Sequence, residues 1–412
     1  MGQEAFSVLK LWPLSVLVTA LIFSPNANSD GFASQFVDPD DGRFDASAYL
    51  ADHAYGFLPV PIIITDPAVD GGLGVVGLFF HETEEQKQER LKALRTAEDG
   101  ANYLLTPSVS AAAVAVTGND SWFAGGGHMG FFKQGRIRYM GGGGYGDVNL
   151  DFFGFGEVNL TRPIELNTRA AAVIQSLRFK LGELPLFAGP TQRFVSASIS
   201  PRNLGDLSGD FLPPELQEEW QELVTQLLTQ DVVMSALGVV IELDTRDNFF
   251  SPRQGYYAQL EHLWYRDFLG SDIEYQLTTL RSHNYWNISD SLRTGLRLDV
   301  DYADTDGLLP PFATPGIVLR GIPAMRYQGN IVTVAEIELG WQIDDRWALL
   351  GFAGAGWAAN SGSQLRDAAS RTTRGAGFRY LIARRYGFEM GLDIARGPED
   401  TIFYIQAGTA WR

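Results

Sequence analysis

The chain has 412 residues, a formal net charge of −17, no cysteine, 45 glycines and 12% aromatic residues. The acidic balance argues against a nucleic-acid-binding role, which needs a basic surface. Because the sequence contains no cysteine, a lipoprotein anchor is not expected. High glycine and aromatic content with few charges is typical of a protein built from many antiparallel strands.

Residues 1–29 predict a cleaved secretory signal. Lys10 precedes the apolar run Leu11–Phe23, and the small-residue stretch Ala27–Ser29 follows it. The apolar run is shorter than the ~20 residues of a spanning helix, and no later segment reaches that length. We therefore expect an exported chain that starts at Asp30 and is either soluble in the periplasm or a membrane barrel.

Residues 30–61 predict a short, irregular periplasmic segment in front of a barrel at 62–412. Within it, Asp38–Asp45 places carboxylates around a turn glycine, as a calcium loop does. It lacks the distant bidentate glutamate of such a loop, so we interpret it as an acidic turn. The first strand is expected near Gly72–Phe80, and a polar helix is expected in the connection 81–107.

The rest of the chain predicts strands separated by turns, because apolar and polar residues alternate with period two. Together with the first strand, the predicted strands number about sixteen, an even number as a closed antiparallel barrel requires. The further strands are predicted at 108–117, 121–132, 136–145, 149–157, 164–180, 192–200, 237–244, 256–261, 272–277, 292–301, 331–342, 347–357, 373–382, 386–395 and 401–411.

The strand at 331–342 shows the alternation most clearly. One face carries Ile331, Thr333, Ala335, Ile337, Leu339 and Trp341, and the other carries Val332, Val334, Glu336, Glu338, Gly340 and Gln342. A soluble sheet would fit this pattern, and so would a barrel strand with lipid outside and a polar lumen inside. In the strand at 386–395 the outer row would be Tyr386, Phe388, Met390, Leu392 and Ile394.

An even strand number places both chain ends on the periplasmic side. The short turns at 289–290 and 343–346 would then be periplasmic. The longer connections would face outward, and they are 81–107, 201–233, 304–329 and 359–372. Tryptophans near strand ends, Trp411 among them, are expected at the membrane interface.

The motif Leu319-Arg320-Gly321-Ile322 directly precedes the strand counted as the twelfth. It resembles the Val/Leu-Arg-Gly-Phe/Tyr motif in the sixth outer loop of the assembly-barrel family that includes BamA and TamA, also called the bacterial surface antigen family. Three further segments resemble the family's turn between strands eight and nine, its penultimate strand and its C-terminal insertion signal. They are Asp244–Asn248, Gly391–Ala395 and Phe403–Trp411, the last with Gln406, Gly408 and Trp411 at polar, glycine and aromatic positions.

The resemblance implies an all-β, sixteen-stranded antiparallel transmembrane barrel whose sixth outer loop folds inward. In the family, the loop arginine pairs with the aspartate of a Phe-x-Asp motif on strand thirteen. Here that segment reads Phe352-Ala353-Gly354, and a desolvated Arg320 needs another counter-charge. The candidates on inward faces are Glu336, Glu338 and Asp393.

The resemblance also implies a role in inserting or translocating other outer-membrane proteins. The expected partners are outer-membrane lipid, client outer-membrane proteins and the machinery that assembles this barrel itself, and the expected state is a monomer. The segment 30–61 is too short for a periplasmic substrate-recruiting (POTRA) domain, so we expect a family member that lacks them.

Two other functions stay open. A gated pore or surface barrel without insertase activity would use the Arg320 loop as a plug and the lumen charges to set conductance. Those charges are Arg293, Arg297, Glu336, Glu338, Arg379, Glu389 and Asp393. A lipid hydrolase is not expected, because no Gly-x-Ser-x-Gly motif occurs and no histidine has an evident serine and acid beside it. No cofactor or metal site is expected.

Overall fold

The computed structural model describes residues 36–48, 57–65, 67–81, 108–133, 135–153, 162–204, 229–248, 251–384 and 387–411, with single positions between 217 and 228. Sixteen strands form one antiparallel sheet in which each strand pairs with the next along the chain. The predicted sixteen-stranded barrel is therefore confirmed. Among the described residues, no helix is long and apolar enough to cross a bilayer.

The first eight strands are β1 (Phe57–Ile64), β2 (Gly72–His81), β3 (Ser108–Thr117), β4 (Trp122–Phe132), β5 (Ile137–Phe152), β6 (Ile164–Lys180), β7 (Leu186–Pro201) and β8 (Gln230–Asp244). The last eight are β9 (Gly255–Tyr265), β10 (Tyr275–Asn287), β11 (Leu292–Asp304), β12 (Ile331–Gln342), β13 (Trp347–Ala359), β14 (Arg371–Ala383), β15 (Phe388–Arg396) and β16 (Thr401–Ala407).

The two faces of the sheet differ sharply in exposure. On β12, Ile337 and Leu339 are each 48% exposed, whereas Glu336 is 1% exposed. Residues directly opposite on paired strands share a face, so the register extends this outward face to the other strands. Soluble monomers rarely expose apolar patches above a few hundred Å². An apolar outer surface that runs around the sheet therefore fits contact with lipid.

The predicted number of strands was right, although one strand was missed and another was predicted as two. β1 begins inside the stretch 30–61 that was predicted to be irregular, where Pro59 and Pro61 argue against a strand, and it continues past the predicted barrel start at residue 62. Conversely, β5 is one long strand through Gly141–Gly144, where the sequence predicted two. The two errors cancel, so Ile331–Gln342 is still the twelfth strand.

The added first strand changes the orientation of one connection. We call the barrel end that carries the turns 288–291 and 343–346 the turn end, and the opposite end the loop end. Residues 82–107 lie outside the described residues, but β2 ends and β3 begins at the turn end. The prediction that this connection joins the outer loops is therefore wrong.

The chain leaves the sheet earlier at its C-terminus than predicted. β16 ends at Ala407, and Gly408 adopts a left-handed backbone with φ of 75°. The Gly408 N–H donates to the Glu389 carbonyl at 2.6 Å, which turns the chain away from the strand direction. Trp411 is only 2% exposed, so the prediction of an interface tryptophan at this position is wrong.

The barrel closes at a seam between β1 and β16. Among the described residues, β1 pairs with β2 and β16 pairs with β15, and no ladder joins the two end strands. Pairing of β1 with β2 runs unbroken through Pro59 and Pro61. Because proline has no N–H, both ring nitrogens must lie on the edge turned away from β2. The free edge of β1 therefore lacks two hydrogen-bond donors.

Replacing Pro59 and Pro61 together by alanine restores these two donors at the seam. We expect slower amide exchange in β1 and β16, because each added hydrogen bond is worth about 0.5–1.5 kcal/mol. Hydrogen–deuterium exchange with mass spectrometry measures this, and Pro398→Ala, in the loop between β15 and β16, controls for loss of a proline alone. Exchange in β16 that stays at the wild-type rate would contradict this account of the seam.

Candidate functional site

The guanidinium of Arg320 joins the sixth loop (residues 305–330) to the barrel wall. Its Nε lies 2.7 Å from Glu336 Oε1, its Nη1 2.8 Å from Asp393 Oδ2 and its Nη2 2.9 Å from Glu338 Oε2. Glu336 and Glu338 lie on the inward face of β12, and Asp393 lies on the inward face of β15. All three carboxylates proposed from the sequence thus meet at one cation.

The cluster around Arg320 is closed by two further groups. Arg379 of β14 binds Asp393 with Nη1 at 2.5 Å and Nη2 at 2.9 Å. The ring of Phe352 lies under the Arg320 guanidinium, 3.5 Å from its carbon to the ring centroid. Burying these charges costs several kcal/mol each, and only complete pairing offsets that cost. The Glu338 contact is an ion pair without hydrogen-bond geometry.

Two glycines on the inward face of β13 make room for the sixth loop. A Cβ at Gly354 would lie 2.8 Å from Cδ2 of Leu319, and a Cβ at Gly356 would lie 2.5 Å from Cγ2 of Ile317. An aspartate at position 354 would therefore compete with Leu319 for space. With glycine at this position, the counter-charges of Arg320 come from β12 and β15.

The glycine of the Arg-Gly motif allows the loop to approach the last strands. Gly321 has φ of +94°, and a Cβ there would lie 2.9 Å from the backbone nitrogen of Gly397. Its N–H donates to the hydroxyl of Tyr404 on β16 at 2.8 Å. Ile322 is buried in one cluster with Leu319 of the loop. The motif thus holds β12, β15 and β16 to one loop.

Trp411 adds the C-terminus to the same cluster. Its indole Nε1–H donates to Glu336 Oε2 at 3.1 Å, while Glu336 Oε1 accepts from Arg320. A Cβ at Gly295 would lie 2.6 Å from the indole ring, so glycine is required there. Of the predicted insertion signal, Gln406 lies in β16, whereas Gly408 and Trp411 lie beyond its end. No pattern in the segment 401–411 indicated that Trp411 would turn inward.

The inner surface of the barrel carries charged side chains on one side, whereas the other side includes many small residues. Glu389 binds Arg293 at 2.9 Å and Arg253 at 3.1 Å, and Arg297 Nε binds Asp299 at 2.7 Å. These pairs belong to the β9–β15 side. The inward positions of β2–β5 include Gly74, Val76, Ala113, Ala115, Gly125, Gly127, Gly142 and Gly144.

Two histidines and a serine meet on the outward face near the turn end. Ser110 Oγ lies 2.8 Å from His81 Nε2 and 2.9 Å from His128 Nδ1. Within the described ranges, no carboxylate is bonded to either imidazole, so a serine–histidine–acid set is incomplete there. The described residues also contain no group of histidine and acidic side chains that could hold a metal ion.

No protein-family model matches the sequence, and no curated protein sequence matches it. Among solved structures, BamA from Haemophilus ducreyi lacking POTRA domains 1–3 matches with a TM-score of 0.54 and 12% identity, covering 86% of this chain and 70% of that one. CdiB from Escherichia coli matches at 0.52 and 11%, covering 85% and 62%, and CdiB from Acinetobacter baumannii at 0.51 and 9%, covering 85% and 59%. The chain therefore has the barrel fold of BamA and CdiB, and it spans less than two thirds of either CdiB chain.

Proposed function

We propose that the chain is an outer-membrane barrel that assists the insertion of other barrel proteins at the seam between β1 and β16. The observation that carries this proposal is the lack of a strand ladder between these two strands in the described part of the chain, while every other neighbouring pair is bonded. Opening the seam therefore breaks no ladder. The two free edges could then pair with a strand of a client protein.

The prolines of β1 reduce the number of hydrogen-bond donors on its free edge. Pro59 and Pro61 keep their carbonyl acceptors but offer no N–H to an incoming strand. A client strand on β1 thus makes fewer hydrogen bonds than on an ordinary edge, which weakens its hold and favours its release.

The surrounding partners follow from the two faces of the barrel. The exposed apolar outer face would contact outer-membrane lipid, and the predicted secretory signal would bring the chain to that membrane. The assembly machinery would insert this barrel, which would then act as a monomer on client outer-membrane proteins. Arg320 would keep the sixth loop as a plug over the lumen during this cycle.

The mature chain, reconstituted in liposomes, tests the insertion activity directly. The folding time of an unrelated barrel protein added outside is compared with that in empty liposomes and in liposomes that carry an equal mass of a closed barrel. We expect clearly faster folding than in either control. Folding no faster than with the closed barrel would contradict the proposal.

A gated pore is the second candidate function, and the small residues on the inward faces of β2–β5 favour it. Positions such as Ala113, Gly125 and Gly142 are only half-buried, so this side of the lumen is not filled by the charged cluster. Displacing the sixth loop would then open a passage along it. Steady ionic current through the same liposomes, without faster client folding, would favour the pore.

A further inference from the structure

The segment Phe36–Ser47, which we call the N-terminal clasp, is bound to the turn end by one buried arginine. Arg346 lies in the turn between β12 and β13, and its side chain is fully buried. Its Nε lies 2.7 Å from Asp41 Oδ2 and its Nη1 2.6 Å from Asp45 Oδ2, and Asp38 binds its Nη2. Three aspartates of one short segment thus converge on a single cation.

The sequence of the clasp explains this convergence. Gly42 has φ of +68°, and Val37 pairs with Phe44 in a β-bridge, so the chain reverses within the acidic turn. Burial raises the pKa of Asp45, but hydrogen bonds from Arg346 and from Ser47 outweigh it and hold that pKa below its usual value. The acidic turn predicted from the sequence therefore has a partner in the barrel itself.

Apolar contacts extend the clasp across the last three strands. Phe36 and Ala46 are buried in one cluster with Ile382 and Ala383 of β14, Phe388 and Met390 of β15, and Ala407 of β16. The Ala46 N–H donates to the Ile382 carbonyl at 2.7 Å. Phe388 and Met390 share the outward face of β15 with the exposed Leu392 and Ile394, as predicted. The clasp covers these two side chains and leaves them 3% and 4% exposed.

The clasp lies shortly before β1 in the chain. Residues 48–56 connect the clasp to β1, and even a fully extended stretch of that length spans only about 30 Å. β1 is therefore tethered to β14–β16, which lie on the other side of the seam. Within the described residues, no strand ladder joins β1 to β16.

We propose that the N-terminal clasp is the latch of the β1–β16 seam, and that release of its aspartates from Arg346 frees the two end strands. The latch uses the seam of the proposed function, but it does not depend on insertion activity. It would hold the barrel closed whether or not a client strand ever enters.

Arg346→Gln tests the latch, with Arg43→Gln as a matched control. Arg43 belongs to the same clasp and reaches the same turn at Asp344, 3.1 Å away, but both side chains are well exposed, at 47% and 39%. In hydrogen–deuterium exchange of the reconstituted chain, Arg346→Gln should speed exchange in β1 and β16 at least tenfold. β6–β11 should keep their wild-type rates, and Arg43→Gln should change neither group.

The latch would be overturned if Arg346→Gln left β1 and β16 unchanged, or if it loosened all sixteen strands equally. The second outcome would make Arg346 a general stabiliser of the fold.

A cysteine pair tests the latch without removing its charges. The chain has no cysteine, so Ala46→Cys with Ile382→Cys introduces a single possible disulfide at two positions joined by a backbone hydrogen bond. The oxidised protein should exchange more slowly in β1 and β16 than the reduced protein. Equal exchange in both states would overturn the latch.

The same pair separates the latch from the proposed function. If oxidation slows exchange at the seam and also stops acceleration of client folding until a reductant is added, both hold. If seam exchange responds while client folding is accelerated in neither state, the latch stands and the insertion function fails.

Discussion

Arg320→Ala is expected to cost about 3–5 kcal/mol of stability, because it leaves buried carboxylates without their shared cation. Glu336 and Asp393 are both almost fully buried, so water replaces the guanidinium only if the cluster opens. We expect a smaller fraction of barrel that resists heat in gel electrophoresis, and a higher ionic current through the protein that does fold. The current should rise because the sixth loop loses its main attachment.

Arg326→Ala is the matched control for this result. Arg326 belongs to the same loop and binds Glu399 through two hydrogen bonds of 2.6 and 2.7 Å, but that carboxylate is 43% exposed. An exposed pair contributes about 0–1 kcal/mol. Unchanged current together with unchanged heat resistance in Arg320→Ala would contradict the role of this loop as a plug.

Glu336→Gln is expected to have a comparable effect, since it weakens two attachments at once. The carboxylate accepts from Arg320 and from Trp411, so its loss should loosen both the sixth loop and the C-terminus. We expect a loss of about 3–5 kcal/mol for removing the buried charge. Trp411→Phe keeps an aromatic ring but removes the donor, and should cost about 1.5–3 kcal/mol.

Urea unfolding of the two single variants and the double variant measures the coupling between them. If both side chains act through one contact, the effects should fail to add by about 0.5–3 kcal/mol. Additive effects would show that Trp411 and Glu336 stabilise the barrel independently, and the C-terminus would then not report on the sixth loop.

The sequence predicted the structure well where a single strand shows clear alternation of apolar and polar residues. Alternation along Ile331–Gln342 was sufficient to assign the two faces of β12, and the inward carboxylates followed from it. The sequence predicted the structure poorly where the local residue preference, such as that of proline, conflicts with the conformation in the fold. Pro59 and Pro61 argued against a strand at β1. A strand that contains proline is tolerated at a free edge, and which strand forms an edge depends on the whole sheet.

Contacts between distant parts of the chain explain the other differences. Trp411 turns inward because Gly408 ends β16, and nothing in period-two alternation distinguishes this glycine from one within a strand. Likewise, Asp38–Asp45 carries a clear turn pattern, but its partner Arg346 is remote in sequence. Without the fold, an acidic turn has many possible cations.

Amide exchange of the wild-type chain in liposomes tests most directly whether the barrel has an unpaired seam between β1 and β16. Peptides from β1 and β16 should exchange faster than those from β12, which is bonded on both edges to β11 and β13. They should still exchange more slowly than in Arg346→Gln. Equal protection of β1, β16 and β12 would mean that the barrel is closed all round, and would contradict both the seam and its latch.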